Sequence, residues 1–147
     1  MRAHFLDDNS PINPMMLEEH GVVYQHLDLE DRRYQRALQE LCTVRGYVTQ
    51  DEVKLSPDTP NLPTVLAKFA PEHLHDDDEV RFVLAGEGIF DVRSNDERWM
   101  HIVVEPGDLI VVPKGKNHRF FLTDKQHIHC VRLFKDAAGW VPVYRAA

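Results

Sequence analysis

The sequence predicts a mainly β protein, an antiparallel β-barrel or sandwich with helices in its N-terminal part. From residue 71 onward, short runs of alternating apolar residues recur between turn formers such as Pro106-Gly107-Asp108. Short strands at such regular spacing are typical of small all-β folds. The one long helical stripe lies before residue 71. These observations together predict a helical N-terminal third attached to a small β-barrel.

Length and charge limit the class of protein. The chain has 147 residues, 43% hydrophobic and 28% charged, which is enough to bury one core. We predict a single domain over 1–147, with a strand and helices in 1–70 and the barrel core in 71–147. The formal net charge is -7. This charge disfavours nucleic-acid and anionic membrane partners, because both are bound by clustered cations.

Neither a targeting segment nor a membrane span is expected. The stretch MRAHFLDDNS lacks the apolar core of a signal peptide, and no apolar run approaches the ~20 residues that cross a bilayer. The two cysteines, Cys42 and Cys130, have no CxxC spacing, so we expect reduced thiols rather than a disulfide. We therefore predict a cytoplasmic protein, and we expect it to be a monomer.

Three elements are predicted before residue 71. The run GVVYQHL at 21–27 alternates as a strand does. The segment DLEDRRYQRALQELCTVRGY predicts a long helix that stops at Gly46. Its apolar stripe consists of Tyr34, Leu38, Leu41 and Val44. A second, shorter helix is expected around Leu62 to Phe69, after a proline-rich stretch.

Six later runs predict the strands of the barrel. They are VRFVL, GIFDVR, MHIVVE, DLIVVP, HRFFLT and HIHCVRLF. Glu79 opens the first of these strands, and alternation places Glu79, Arg81 and Val83 on one face, and Val80 and Phe82 on the other. Burying the charges of Glu79 and Arg81 on a face shared with Val83 would cost free energy. This strand is therefore expected to carry a function.

Histidines and carboxylates gather near this strand, in PEHLHDDDEVRFVLAGEG. His73 and His75 are two residues apart, so their side chains project together from a strand. Glu79 follows on the next strand, and VPKGKNHRF supplies His118 directly after a Pro/Gly turn. Imidazole and carboxylate ligands suit Fe, Ni, Mn, Co, Cu or Zn rather than Ca or Mg. The pattern predicts a transition-metal site inside the barrel, with Arg81 beside it.

A histidine pair alone is weak evidence for such a site. The chain contains nine histidines, and a single histidine is more often a surface or hydrogen-bonded core residue than a ligand. The HIH run at 127–129 has the same spacing but no following glutamate, and we interpret it as unrelated to a metal. HxHxxxE followed by a PxG turn and a third histidine is far more specific.

The complete pattern, HxH(x)nE and then G(x)nPxG with a later histidine, resembles that of the cupin superfamily, whose members form an antiparallel jelly-roll barrel. Within the cupins, the chain resembles the acireductone dioxygenase family of methionine salvage. The likeness extends to DDNSPINP, KFAPEHLHDDDEVRFVLAGEGIFDVR, RWMHIVVEPGDLIVVPKGKNHRF and VRLFKDAAGWVPVYR. It covers most of the chain and is weakest at about residues 40 to 65.

This resemblance implies a set of functional residues. The implied metal ligands, which hold one Fe2+ or Ni2+ per chain, are His73, His75, Glu79 and His118. The implied catalytic and substrate-binding cations are Arg81 and Arg132. Phe69, Phe120 and Trp140 are implied to line the substrate pocket. For Arg132 the alternative is a surface arginine, and for the three aromatic residues it is plain core packing.

The resemblance also implies a reaction. The substrate would be the acireductone 1,2-dihydroxy-3-keto-5-methylthiopentene, which is oxidised by O2. With iron, the implied products are formate and 4-methylthio-2-oxobutanoate; with nickel, they are formate, carbon monoxide and 3-methylthiopropanoate. Two alternatives stay open. One is another metal cupin, such as a sugar-phosphate isomerase, and the other is a non-enzymatic cupin that binds a metal or a small molecule.

Overall fold

The computed structural model describes residues 1–136 and 141–146, with only the backbone of residue 31. In chain order the elements are β1 (Arg2–Phe5), α1 (Pro14–Glu19), β2 (Val23–His26), a 3-10 turn (Glu30–Arg32), α2 (Arg33–Arg45), β3 (Thr49–Leu55), α3 (Leu62–Ala67), β4 (His73–Leu74), β5 (Glu79–Gly86), β6 (Gly88–Arg93), β7 (Trp99–Val104), β8 (Asp108–Val112), β9 (His118–Leu122), β10 (Ile128–Phe134) and β11 (Val143–Tyr144).

The strands form two antiparallel sheets. One has six strands in the order β1-β7-β6-β9-β4-β11, and the other has five in the order β2-β8-β5-β10-β3. A hydrophobic cluster with members from both sheets, including Val83, Phe90 and Cys130, lies between them. The predicted mainly β, cupin-type barrel is therefore confirmed.

A second hydrophobic cluster joins α2 to the outer face of the five-stranded sheet. It contains Leu38 of the helix together with Val80 and Phe82 of β5, and the ring of Tyr34 stacks on Phe82 at 5.0 Å between centroids. Val83 lies in the inner cluster instead. The alternation predicted for β5 is confirmed, because neighbouring residues of a strand point to opposite faces.

The long helix was predicted correctly except for the end of its apolar stripe. α2 stops where Gly46 adopts φ 81° and donates its backbone N–H to the carbonyl of Cys42. Val44 was wrongly assigned to the buried stripe, since it is 83% exposed. Six residues at about 100° each turn Val44 roughly 120° away from Leu38, whereas Cys42 packs against the outer cluster.

Among the described residues, no helix has the length and apolar character needed to span a bilayer.

The N-terminal part contributes more strands than the sequence predicted. Of β1, β2 and β3, only β2 was expected, and the two-residue strand β11 was also missed, whereas the strand expected at His73 is present as β4. β3 pairs with β10 along seven residues, yet most of its side chains are exposed. An edge strand with polar side chains shows no apolar alternation. The two sheets thus draw strands from both sides of residue 70.

Gly86→Ala is expected to destabilise the barrel by about 2 kcal/mol or more. Gly86 has φ +73°, and an added Cβ would lie 2.1 Å from the backbone oxygen of His127. Gly46→Ala is the matched control, because Gly46 has a similar φ but nothing within 4 Å of the added Cβ. Urea unfolding measures both losses. Equal losses in the two variants would show that the contact with His127 does not matter.

Candidate metal centre

Four buried side chains meet inside the barrel. One ligand atom from each lies within 4.8 Å of the others, and the four residues are His73, His75, Glu79 and His118. None of the four is more than 4% exposed. The structure therefore brings together the four residues whose convergence the sequence predicted.

Three strands and one turn position these side chains. His73 in β4 is the direct cross-strand partner of His118 at the start of β9, and Glu79 is the first residue of β5. The turn before His118 is bonded to the histidine segment, because the N–H of Gly115 donates to the carbonyl of His75 at 2.9 Å. The imidazole rings lie 4.5 to 5.1 Å apart between centroids.

Each imidazole is oriented by a backbone carbonyl. The Nδ1 atoms of His73, His75 and His118 donate to the carbonyls of Pro71, Val141 and Lys116, at 2.7, 3.1 and 2.9 Å. A carbonyl oxygen can only accept, so Nδ1 carries the hydrogen of each neutral ring. This leaves Nε2 as the ligating atom, and such outer contacts typically fix metal-binding histidines.

The close contact between Glu79 and His118 indicates that a positive charge binds at this point. Oε2 of Glu79 lies 2.5 Å from Nε2 of His118 and 3.5 Å from Nε2 of His75. With the ring hydrogen on Nδ1, this brings two acceptor atoms together, and a shared proton or a cation bound by both atoms would offset their repulsion. An imidazole and carboxylate set suits a divalent transition ion, so the residues fit such an ion.

Electrostatics keep the centre's carboxylate ionised. Burial alone would raise the pKa of Glu79, but attraction to His118 and Arg81 holds it well below its usual value. Burial lowers the pKa of His73. Burial alone would also lower the pKa of His75, but the hydrogen bond and charge of Glu79 raise it. The centre is thus built around one buried negative charge.

Arg81 is held beside the centre by several contacts. Its Nε donates to Oε1 of Glu79 at 3.0 Å, and its Nη1 lies 3.7 Å from Sγ of Cys130. The guanidinium carbon is 4.8 Å from the ring centroid of Phe120 and 5.7 Å from that of Phe69. Burial alone would lower the pKa of Arg81, but the charge of Glu79 raises it. Arg81 is therefore a fixed, permanently charged group.

The remaining residues expected at the substrate site lie as follows. Arg132 is the cross-strand partner of Arg81, and it forms a two-point ion pair with Asp51 of β3 at 2.8 and 2.6 Å. The rings of Phe69 and Phe120 meet edge to face at 6.3 Å. Trp140 lies outside the described residues. The substrate roles of these residues stay predictions.

Sequence reasoning missed the groups that orient the site. The three carbonyls that accept from the imidazoles belong to the backbone, which has no signature in side-chain patterns. Cys130 reaches Arg81 through the pairing of β5 with β10, whose register shifts between His129 and Cys130. Only its position on the same strand face as Arg132 could have pointed to it.

The second histidine pair lies away from the centre. His127 is exposed, and Nε2 of His129 lies 2.6 Å from a carboxylate oxygen of Glu52. We expect His127→Ala and His129→Ala to retain the parent's metal content at the barrel centre and its turnover. Metal analysis after dialysis and steady-state kinetics measure this. Loss of that metal in either variant would mean that the ligand set is wrong.

Two antiparallel sheets around a buried cluster of three histidines and one glutamate define a cupin-type barrel protein with a candidate metal centre. A family model described as ARD/ARD' family matches residues 2–142. The chain therefore belongs to the ARD/ARD' family.

Individual relatives match over nearly the whole chain. The acireductone dioxygenase of Dictyostelium discoideum is 46% identical over 146 residues, covering 99% of this chain and 99% of the relative. That of Heterostelium pallidum is 46% identical over 145 residues, covering 99% and 98%. A solved acireductone dioxygenase from Bacillus anthracis, with a cadmium ion in its active centre, superposes with a TM-score of 0.90 at 32% identity, covering 97% of each chain.

Proposed function

We propose that the protein is an acireductone dioxygenase, which oxidises an enediol next to a ketone with O2 and uses one Fe2+ or Ni2+ per chain. The observation that carries this proposal is the buried cluster of His73, His75, Glu79 and His118. It stands in a chain 46% identical, nearly end to end, to relatives of that name. Bound by these four residues, the ion would supply Lewis-acid activation and a template for the substrate.

Arg81 would balance the charge of the bound substrate. An acireductone that binds as a dianion adds two negative charges beside Glu79, so that a divalent ion leaves the centre net negative. A buried negative charge needs a partner, and a guanidinium stays protonated and forks onto paired oxygens. Glu79 and the ring of Phe120 already hold Arg81 in place, so little reorganisation is needed when substrate binds.

The apolar walls would hold the substrate's methylthioethyl tail. Phe69 and Phe120 pack against each other next to Arg81, and aromatic surfaces bind thioethers favourably. They would also keep water from the reacting atoms, which strengthens the electrostatic contacts. We also propose Arg132 as a second substrate contact.

The test is to load metal-free protein anaerobically with Fe2+ or Ni2+, and then to mix each form with acireductone and O2. Oxygen uptake, mass spectrometry and gas analysis follow the reaction. We expect formate from both forms, with the keto acid from the iron form and carbon monoxide with the shortened acid from the nickel form. Metal binding without oxygen uptake above the protein-free rate would instead favour a non-enzymatic cupin.

A further inference from the structure

A row of polar side chains crosses the outer face of the six-stranded sheet. His4 of β1 is the direct cross-strand partner of His101 of β7, which pairs with Asp91 of β6, which pairs with Arg119 of β9. Alternate residues of a strand point to opposite faces, and the neighbours of His101, Met100 and Ile102, lie in the inner cluster. This row is therefore separated from the candidate metal centre by the sheet itself.

The two histidine rings have the spacing of metal ligands. The ring centroids of His4 and His101 are 5.0 Å apart, within the 4.5 to 5.1 Å range among the three imidazoles of the candidate metal centre. Two imidazoles that share one ion at about 2.0–2.1 Å per bond must stay this close. Both rings are partly exposed, so an ion reaches them without opening the barrel.

A buried carboxylate orients one of the two rings. Nδ1 of His101 donates to Oδ1 of Asp91 at 2.7 Å, and the other oxygen of Asp91 accepts from Nε of Arg119 at 2.9 Å. A carboxylate behind an imidazole fixes the hydrogen on Nδ1, leaves Nε2 as the ligating atom and raises its basicity, as in carboxylate–histidine–metal arrangements. Two surface histidines can contact each other without a buried carboxylate behind either ring. The position of Asp91 behind His101 therefore favours a ligand role for this ring.

Nearby cations do not oppose an ion at this pair. Arg119 bonds the same carboxylate as His101, and its charge is offset by that of Asp91 at 2.9 Å. Arg2, which shares the β1 face with His4, is paired with Glu105 at 3.0 Å. The charges around the two imidazoles are therefore largely neutralised.

We propose that His4 and His101 form a second metal site, which takes a divalent transition ion such as Ni2+, Co2+, Cu2+ or Zn2+. Imidazole is a suitable ligand for each of these ions. With two protein ligands rather than four, the site is weaker than the centre inside the barrel, and water completes the coordination. Asp91 is a positioning residue that acts through His101.

Equilibrium dialysis of untagged protein against Ni2+, with metal analysis, tests the site. The parent should take up a second equivalent after the first, whereas His4→Ala and His101→Ala should take up only the first and keep the parent's turnover. Asp91→Asn should weaken the second equivalent by about 10-fold or more. His129→Ala is the control, a histidine of the other sheet also paired with a carboxylate, and it should keep both equivalents.

Several results would overturn the proposal. One is a parent that takes up a single equivalent at about 1 mM free Ni2+, which half-fills even a site with a millimolar dissociation constant. Another is a second equivalent that survives both alanine substitutions. Zn2+ added to parent protein that carries one equivalent of Ni2+ provides a second measurement, which needs no variant. It should shift the ring nitrogen NMR signals of His4 and His101, and signals of both rings that stay in place would also exclude the site.

Discussion

Replacing His118 with alanine is expected to leave the centre inside the barrel without bound metal and to abolish turnover. The change removes one of four ligands and the imidazole that lies 2.5 Å from Glu79. Loss of an orienting outer contact alone typically weakens metal binding by about 10–100-fold, so loss of the ligand itself should cost at least ~100-fold. Metal content after dialysis and oxygen uptake with acireductone measure the two effects.

Two controls separate ligand loss from misfolding. His129→Ala removes an imidazole of the other sheet and should keep the metal inside the barrel. An ion that binds only the folded state raises the unfolding temperature, so a chelator should lower that temperature in the parent and leave it unchanged in His118→Ala. A folded His118→Ala variant with a full equivalent of metal inside the barrel and normal oxygen uptake would refute the assignment of His118.

Arg81→Lys is expected to retain the metal while kcat/KM falls by about 100-fold or more. Lysine keeps the charge but lacks the planar fork that pairs with two oxygens. Removal of one preorganised electrostatic contact commonly costs 10²–10³ in rate, on the order of 3 to 4 kcal/mol. Lysine is preferred to alanine here, because a neutral residue would leave Glu79 without its buried partner and destabilise the fold.

Metal content, kcat and KM should be measured on the same preparation of Arg81→Lys. Arg36→Ala is the matched control, since Arg36 lies on the exposed side of α2 and pairs only loosely with Glu40, at 3.7 Å. That variant should match the parent in both metal content and kinetics. Parent-like kinetics in Arg81→Lys would remove the guanidinium fork from the mechanism.

Much of the fold and the candidate centre follows from local patterns along the chain. The alternation in β5 places Val80 and Phe82 outward and Val83 inward. The helix over Arg33–Arg45 stops at a glycine with φ 81°. These elements depend on residue type and on the period of the secondary structure, both of which are visible in the sequence.

Edge strands and surface contacts did not follow in this way. β3 is held in the sheet by its backbone pairing with β10. Most of its side chains are exposed, so its sequence shows no apolar alternation. The placement of Arg132 opposite Asp51 likewise depends on which strand lies next to β10. His4 and His101 are separated by 97 positions of the sequence, and only the pairing of β1 with β7 brings them together.

By itself, the sequence determined the barrel class, the long helix and the identity of the four convergent side chains. It could do so because the ligand types, the HxHxxxE spacing and the PxG turn before the third histidine are visible along the chain. Only the tertiary structure decided which carbonyl meets each imidazole, how Arg81 sits between Glu79 and the aromatic rings, and which histidines share the outer face. These contacts depend on strand register and order, which arise from packing between segments far apart in the chain.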